Sequence, residues 1–270
     1  MGYRLRVAGH RIWSWFRHQV TSWNTGGEGI HSPYLFYIVR MLGDDGHRYY
    51  CWSDIENRRE AMLRAPKLVN VQDFGSGGDG KTYPRLVSDI ARTSLLPPKY
   101  AQFFFRIIAY LSHEAGEPLN IVELGTNLGL TSAYLQLAER KNKVMTFEGA
   151  RELIQMAQLN WRKLGIDTIS VVEGNIDDTL RANLPARLDF GYMDANHRLE
   201  PTLRYFETLA ERAHEKTIIA IDDIHHSPEM EQAWLAIQQR ADVTTTMDFY
   251  HFGLVFFDLH YLKRHYRLRL

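Results

Sequence analysis

The sequence predicts an α/β fold, a mostly parallel, seven-stranded sheet with helices on both faces and a helical N-terminal extension. Three observations predict it. From residue 119 onward, apolar runs of strand length alternate with helical segments, which implies a parallel sheet covered on both faces. The last two runs lie too close together for a helical crossover, so they should pair antiparallel. Residues 1–116 carry helical spacing and few strand signals, so the expected division is a helical extension over 1–116 and an α/β domain over 117–270.

The elements follow in order. Leu5, Ala8, Ile12, Phe16, Val20 and Trp23 recur at three- and four-residue steps and form one face of an amphipathic helix. Gly26, Gly27 and Gly29 end it. Ser32-Pro33 is an N-cap followed by proline at the first helical position, so a helix over 33–42 should follow. Further helices are expected over Trp52–Ala65 and Tyr100–Ser112. The strands are Ile121–Leu124, Val144–Phe147, Ile169–Val172, Leu188–Met193 and Ile218–Ile221, with helices between and after them. Val243–Phe249 and Phe252–Phe257 close the sheet.

Bulk composition narrows the function classes. The 32 basic and 32 acidic residues cancel, so no global field favours nucleic acid. Cys51 is the single cysteine, which allows no internal disulfide and fits a reducing compartment. The start of the chain is basic without a long apolar run, unlike a secretory signal. No stretch is long and apolar enough to cross a bilayer. Arg6 breaks the myristoylation pattern. The expectation is a cytoplasmic protein.

The central motif is Glu123-Leu124-Gly125-Thr126-Asn127-Leu128-Gly129-Leu130-Thr131, between a strand and a helix. Ligands of doubly wound sheets sit at the carboxyl ends of strands. A dinucleotide fingerprint needs glycine where Asn127 stands, so the loop suits a nucleoside ligand without a diphosphate. Glu148 ends the next strand, where a carboxylate can accept hydrogen bonds from both ribose hydroxyls.

With Thr146-Phe147-Glu148, Glu173-Gly174-Asn175, Tyr192-Met193-Asp194 and Ile221-Asp222-Asp223 following in order, about half of the sequence resembles the class I S-adenosylmethionine-dependent methyltransferases. The resemblance implies a Rossmann-like sheet of order 3-2-1-4-5-7-6, an enzyme, and S-adenosyl-L-methionine as cofactor. It implies that Glu123, Gly125, Thr126, Asn127 and Gly129 line the methionine part and that Thr131 bonds its carboxylate. It further implies that Glu148 and Gly149 meet the ribose, that Asn175, Ile176 and Asp177 border the adenine, and that Asp194 faces the cofactor.

Asp194-Ala195-Asn196-His197 and Asp222-Asp223-Ile224-His225-His226 follow the fourth and fifth strands. The sequence is similar there to the small-molecule O-methyltransferases, which implies a divalent cation such as Mg²⁺ on Asp194, Asp222 and Asp223. His197 is the alternative, a general base with Asp194 as its catalytic partner. Three carboxylates should not stand alone: either a cation or a close histidine should accompany them, His225 being one such partner. The resemblance implies methyl transfer to a small molecule, most readily at oxygen. The aromatic content of residues 1–116, which should close over the acceptor, suits an apolar or aromatic one. The motif Asp222-Asp223-Ile224-His225-x-Ser227, with His31-Ser32-Pro33, resembles uncharacterised bacterial members.

Two features stay open. Gly75-Ser76-Gly77-Gly78-Asp79-Gly80-Lys81-Thr82 matches the spacing of a phosphate loop, which would make Lys81 a phosphate-transfer residue. The first 27 residues and Leu259–Leu270 contain no acid. With Trp13, Trp15, Phe16 and Trp23, the first helix would pack on its own domain or a second subunit in a homo-oligomer, or lie on an anionic membrane, as in a scaffold protein that keeps the fold.

Overall fold

The computed structural model describes residues 2–24, 29–30, 32–42, 46–72, 81–260 and 262–269. In chain order the elements are α1 (Gly2–Thr21), β1 (Trp23–Asn24), α2 (Pro33–Leu42), α3 (Tyr50–Leu63), β2 (Leu68–Gln72), β3 (Thr82–Leu86), α4 (Val87–Ser94) and α5 (Pro98–Ala115). Then come β4 (Asn120–Leu124), α6 (Leu130–Leu137), β5 (Lys143–Glu148), α7 (Arg151–Lys163), β6 (Ser170–Glu173) and α8 (Ile176–Asn183). The chain closes with β7 (Phe190–Met193), α9 (Leu199–Ala210), β8 (Ile218–Asp222), α10 (Pro228–Gln239), β9 (Thr245–Asp248), β10 (Phe252–Phe256) and β11 (Arg264–Arg269). The fold is α/β, with mostly parallel strand pairing. It divides into two compact units, residues 44–183 and residues 1–43 with 184–270.

In residues 44–183, β4 and β6 flank β5, both parallel to it. Ile121, Val122, Leu124 and Phe147 are buried, as expected of strands covered on both faces. The aromatic helix α5 packs on α6 through its buried Phe103–Phe105 stretch, and α3 packs on α4 and α6. The β2–β3 hairpin is antiparallel, from Leu68↔Leu86 to Gln72↔Thr82. Asn70 fastens it to α7, donating from its backbone N (2.9 Å) and Nδ2 (2.8 Å) to Glu152.

That hairpin corrects the phosphate-loop alternative. Residues 73–80 lie outside the described residues, but Thr82 begins a strand that folds back on β2. A phosphate loop needs a helix at that point, with the peptide N–H groups of its first turn facing the ligand. A strand follows instead, so Lys81 has no such setting.

In the other unit, β7 and β8 are parallel, and β10 runs antiparallel to both β8 and β9. The expected order appears here as β7-β8-β10-β9, and in residues 44–183 as β6-β5-β4. The strand count differs from the expected seven. β11 pairs parallel with β9 as an eighth strand, and the two-residue β1 pairs with β11. The sequence there reads as a basic tail because Arg and His alternate with few apolar residues. Pairing buries Leu268, while exposed arginines suit a strand near a sheet edge.

The first helix is turned over relative to expectation. Ile12, Trp13, Trp15, Phe16 and Val20 are 51–72% exposed, whereas Ser14 and His18 are 0% and 3% exposed. The apolar stripe read from spacing therefore faces outward at Ile12, Phe16 and Val20. The side chains of Leu5 and Trp23 lie outside the described residues. The opposite, polar side is seated on the β9–β10 turn and α10, where buried acids need partners.

Candidate active site

The expected nucleoside loop forms at the end of β4. Gly125 N and Thr126 N both donate to the Phe147 carbonyl, at 3.0 and 3.2 Å, tying the loop to β5. Thr126 Oγ1 and Thr146 Oγ1 are 2.7 Å apart, a second link between these strands. Asn127 has a φ of 51°, and its Nδ2 donates to the Ser94 carbonyl at 2.8 Å. Gly129, at φ 76°, turns the chain into α6. Thr131 stands in the first turn of that helix.

Glu148 is the best-held carboxylate of the loop region. Its Oε2 accepts from Asn127 N and its Oε1 from Ala150 N, both at 2.9 Å. Each oxygen has lone pairs to spare, so the group can still accept ribose hydroxyls while its orientation is fixed. Gly149 follows directly and is half-buried. Gly174 N donates to the Glu148 carbonyl at 3.0 Å, bringing the β6 end alongside. Asn175 Oδ1 accepts from Asp177 N at 3.1 Å and caps α8 ahead of Ile176. Glu123 is different. It is fully buried within β4 and accepts from Ser132 Oγ on α6, so it braces strand against helix.

In the other unit, the structure gathers Asp194, His197 and Asp222. Donor atoms of these three lie within 4.8 Å of one another, a group able to hold a metal ion. His197 Nε2 lies 3.3 Å from Asp194 Oδ1. Burial lowers the pKa of His197, but the hydrogen bond and charge of Asp194, with the charge of Asp223, raise it above its ordinary value. Asp222 is pushed well above its ordinary value by burial and by the charges of Asp194 and Asp223. Both effects favour the protonated form of Asp222 over ionisation of every carboxylate in the group.

Asp223 stands apart from that trio. Its φ is 53°, and its N donates to the His251 carbonyl at 2.6 Å. Its Oδ2 pairs with His226 Nδ1 at 3.4 Å. Every non-glycine residue with positive φ among the described residues lies in the turn just past a strand: Asn127 after β4, Asn196 and His197 after β7, Asp223 after β8 and Tyr250 after β9. Such strain collects where a fold holds functional groups in place.

His225 goes elsewhere. Its Nε2 lies 2.8 Å from Asp248 Oδ2, and its ring stacks on Tyr250. His18 Nε2 lies 3.2 Å from the other oxygen of Asp248. Burial would raise the Asp248 pKa, but the hydrogen bonds from His18 and His225 override it and hold the carboxyl well below its ordinary value. Glu231 on α10 pairs with Arg17 and, at 3.3 Å, with His10. The sequence reading missed this group. Its signal was there: His10, Ser14 and His18 recur every four residues on α1. Ser227 caps α10, accepting from Met230 N at 3.2 Å.

Residues 122–224 match the family model Methyltransf_24, described as a methyltransferase domain. No curated protein matches the chain. Among solved structures, the chain is similar to the SAH-bound methyltransferase PaMTH1 of Podospora anserina, with 12% identity, 84% of this chain and 97% of that one covered, and a TM-score of 0.57. It is similar to an O-methyltransferase from Bacillus cereus in complex with SAH, with 16% identity, 80% and 95% covered, and a TM-score of 0.56. It is also similar to TomG of Streptomyces achromogenes, an O-methyltransferase involved in tomaymycin synthesis and solved with SAM, with 15% identity, 82% and 95% covered, and a TM-score of 0.55. At these identities the likeness is one of fold.

The chain shares its fold with these methyltransferases, and the match to a methyltransferase domain covers residues 122–224. The matched residues include both the Gly125–Gly129 loop and Asp194, His197 and Asp222.

Proposed function

We propose that this chain transfers a methyl group from S-adenosyl-L-methionine to an oxygen of a small molecule. The observation that carries the cofactor assignment is Glu148, whose carboxylate is fixed by two backbone donors beside the glycine loop. In this reading Glu148 and Gly149 take the ribose, and Gly125, Thr126, Asn127, Gly129 and Thr131 take the methionine part, with Glu123 bracing the loop from behind. Asn175, Ile176 and Asp177 border the adenine, and Asp194 serves the cofactor as well as the reaction. Residues 117–270 then carry the transfer chemistry, and residues 1–116 shape the choice of acceptor.

The oxygen assignment rests on His197. Methyl transfer is an in-line displacement that leaves a proton on the acceptor oxygen unless a base removes it. His197, oriented by Asp194, takes that proton. Burial and the charges of Asp194 and Asp223 favour a proton on Asp222, which relieves the repulsion between neighbouring carboxylates.

A second reading uses the same group as a cation site, and the donor set fits one: two carboxylates and an imidazole within reach of a single ion. A divalent cation bound there supplies Lewis-acid polarisation of an acceptor oxygen. Asp194, His197 and Asp222 would hold it, with His197 in place of Asp223 from the set read in the sequence. An imidazole among the ligands favours Mn²⁺ or Zn²⁺ over Mg²⁺. On this reading His197 is a ligand, and the base role lapses.

Calorimetry with S-adenosylmethionine and S-adenosylhomocysteine tests the cofactor assignment. Both should bind, whereas NAD and ATP should not. Glu148→Ala should weaken binding by about 1.5–3 kcal/mol for each ribose hydrogen bond lost. Undiminished affinity in a folded Glu148→Ala variant would remove the ribose role.

A further inference from the structure

Among the described residues, the outward face of α1 has no partner within its own unit. Ile12, Trp13, Trp15, Phe16 and Val20 lie on one continuous side of the helix and are all more than half exposed. The helix is held from its other side, through His10, Arg17 and His18 and through the Arg11 carbonyl, which accepts from Tyr250 Oη at 2.9 Å. The apolar face is thus held outward by polar contacts behind it.

The rim of this face is basic. Arg11 is exposed one turn before Trp15. At the C-terminal end of α1, Arg269 donates to the Gln19 carbonyl, and Arg267 Nη1 donates to Thr21 Oγ1 at 3.1 Å. Among the described residues, no carboxylate pairs with Arg11 or Arg269. The segments that build the rim, residues 1–27 and 259–270, contain no acid.

We propose that this face of α1, with the arginines of β11 beside it, docks on an anionic lipid surface. Aromatic side chains at the centre and arginines at the edge match a helix lying in the headgroup layer of a membrane. The charge distribution argues against a second copy of the chain as the occupant. A two-fold pairing through α1 would bring arginine rim against arginine rim, with no acid in either segment to offset the repulsion. Anionic headgroups supply the missing charge. No helix among the described residues is long and apolar enough to cross a membrane, so attachment is to the surface.

Co-sedimentation of the full chain with phosphatidylcholine vesicles, with and without phosphatidylserine, tests this. Binding should require phosphatidylserine, weaken as salt rises, and shift tryptophan emission to the blue. The double variant Trp13→Ser, Phe16→Ser should lose at least tenfold in vesicle affinity with an unchanged melting temperature, because both side chains are exposed. Arg11→Glu should lose about fivefold or more, the value of one basic residue near an anionic surface. Absence of binding at low salt, or binding unchanged in the double variant, overturns the proposal. Light scattering covers the competing occupant: a dimer that dissociates in the double variant, without vesicle binding, makes the face a self-interface and also overturns it.

Discussion

Trp161 clamps the turn at Gly129: its indole Nε1 donates to the Gly129 carbonyl at 2.7 Å, leaving no room for a side chain there. A Cβ on Gly129 would come within 2.7 Å of both that nitrogen and Ala157 Cβ, at a backbone φ of 76°. Gly129→Ala should therefore cost about 2–4 kcal/mol from left-handed strain and overpacking. Trp161→Phe should cost about 1–3 kcal/mol by leaving a buried carbonyl without its donor. Urea melts read both, and each should also lower S-adenosylmethionine affinity, since this turn presents the loop. Wild-type stability and affinity in Gly129→Ala would refute the clamp.

His197 should titrate above 6.5. Burial works against this, but the hydrogen bond to Asp194 and the charges of Asp194 and Asp223 outweigh it. A base acts in its unprotonated form, so the methyl-transfer rate should rise as pH climbs through the raised pKa of His197. NMR of the His197 ring protons reads the pKa without any acceptor. Asp194→Asn should move it downward, and His197→Ala should slow transfer by about 10²–10⁴-fold. An unmoved pKa in Asp194→Asn removes Asp194 as the orienting partner.

Divalent-cation calorimetry on the protein alone separates the two uses of the triad. If the triad is a cation site, Mn²⁺ or Zn²⁺ should bind more tightly than Mg²⁺, and His197→Ala or Asp222→Asn should each abolish it. Loss in Asp223→Asn with retention in His197→Ala would restore the all-oxygen set read from the sequence. With no cation bound, EDTA should leave transfer unaffected and the general-base role stands.

Asp248 should be a stability switch at low pH. Its folded-state pKa is depressed, so its contribution is complete above its unfolded value of about 4 and declines as pH falls below that. Asp248→Asn leaves His18 and His225 buried without their carboxylate and should cost about 3–5 kcal/mol near neutrality. The gap between variant and wild type should narrow in denaturant melts at pH 3. A constant gap across that range would contradict the linkage.

The positions of the strands were legible because apolar runs of four to six residues mark buried parallel strands. Their order followed from the resemblance, and the glycine spacing at 125–129 suits a nucleoside ligand without a diphosphate. Other features depend on three-dimensional partners. Spacing tells which residues of α1 share a side, but not which side turns inward; the buried Asp248 and the half-buried Glu231, more than a hundred residues distant, decide that. The choice between Asp222 and Asp223 was equally hidden, since it rests on one backbone angle at Asp223. β3 contains Pro84 and mostly exposed side chains, so only its pairing with β2 defines it as a strand.

The polar seat of α1 also has a thermodynamic consequence. Heat capacity and denaturant sensitivity scale with the apolar surface that an opening exposes. Lifting α1 away uncovers chiefly histidine, arginine, serine and carboxylate groups, since its apolar side already faces outward. Its release should therefore be nearly invisible to urea and change little on cooling. Acid acts on it directly, through Asp248. Hydrogen exchange at α1 amides should accelerate below pH 4, after correction for intrinsic rates, while the β4 and β5 amides stay protected. The N-terminal helix is then an acid-labile element on a scaffold that yields to denaturant as a whole.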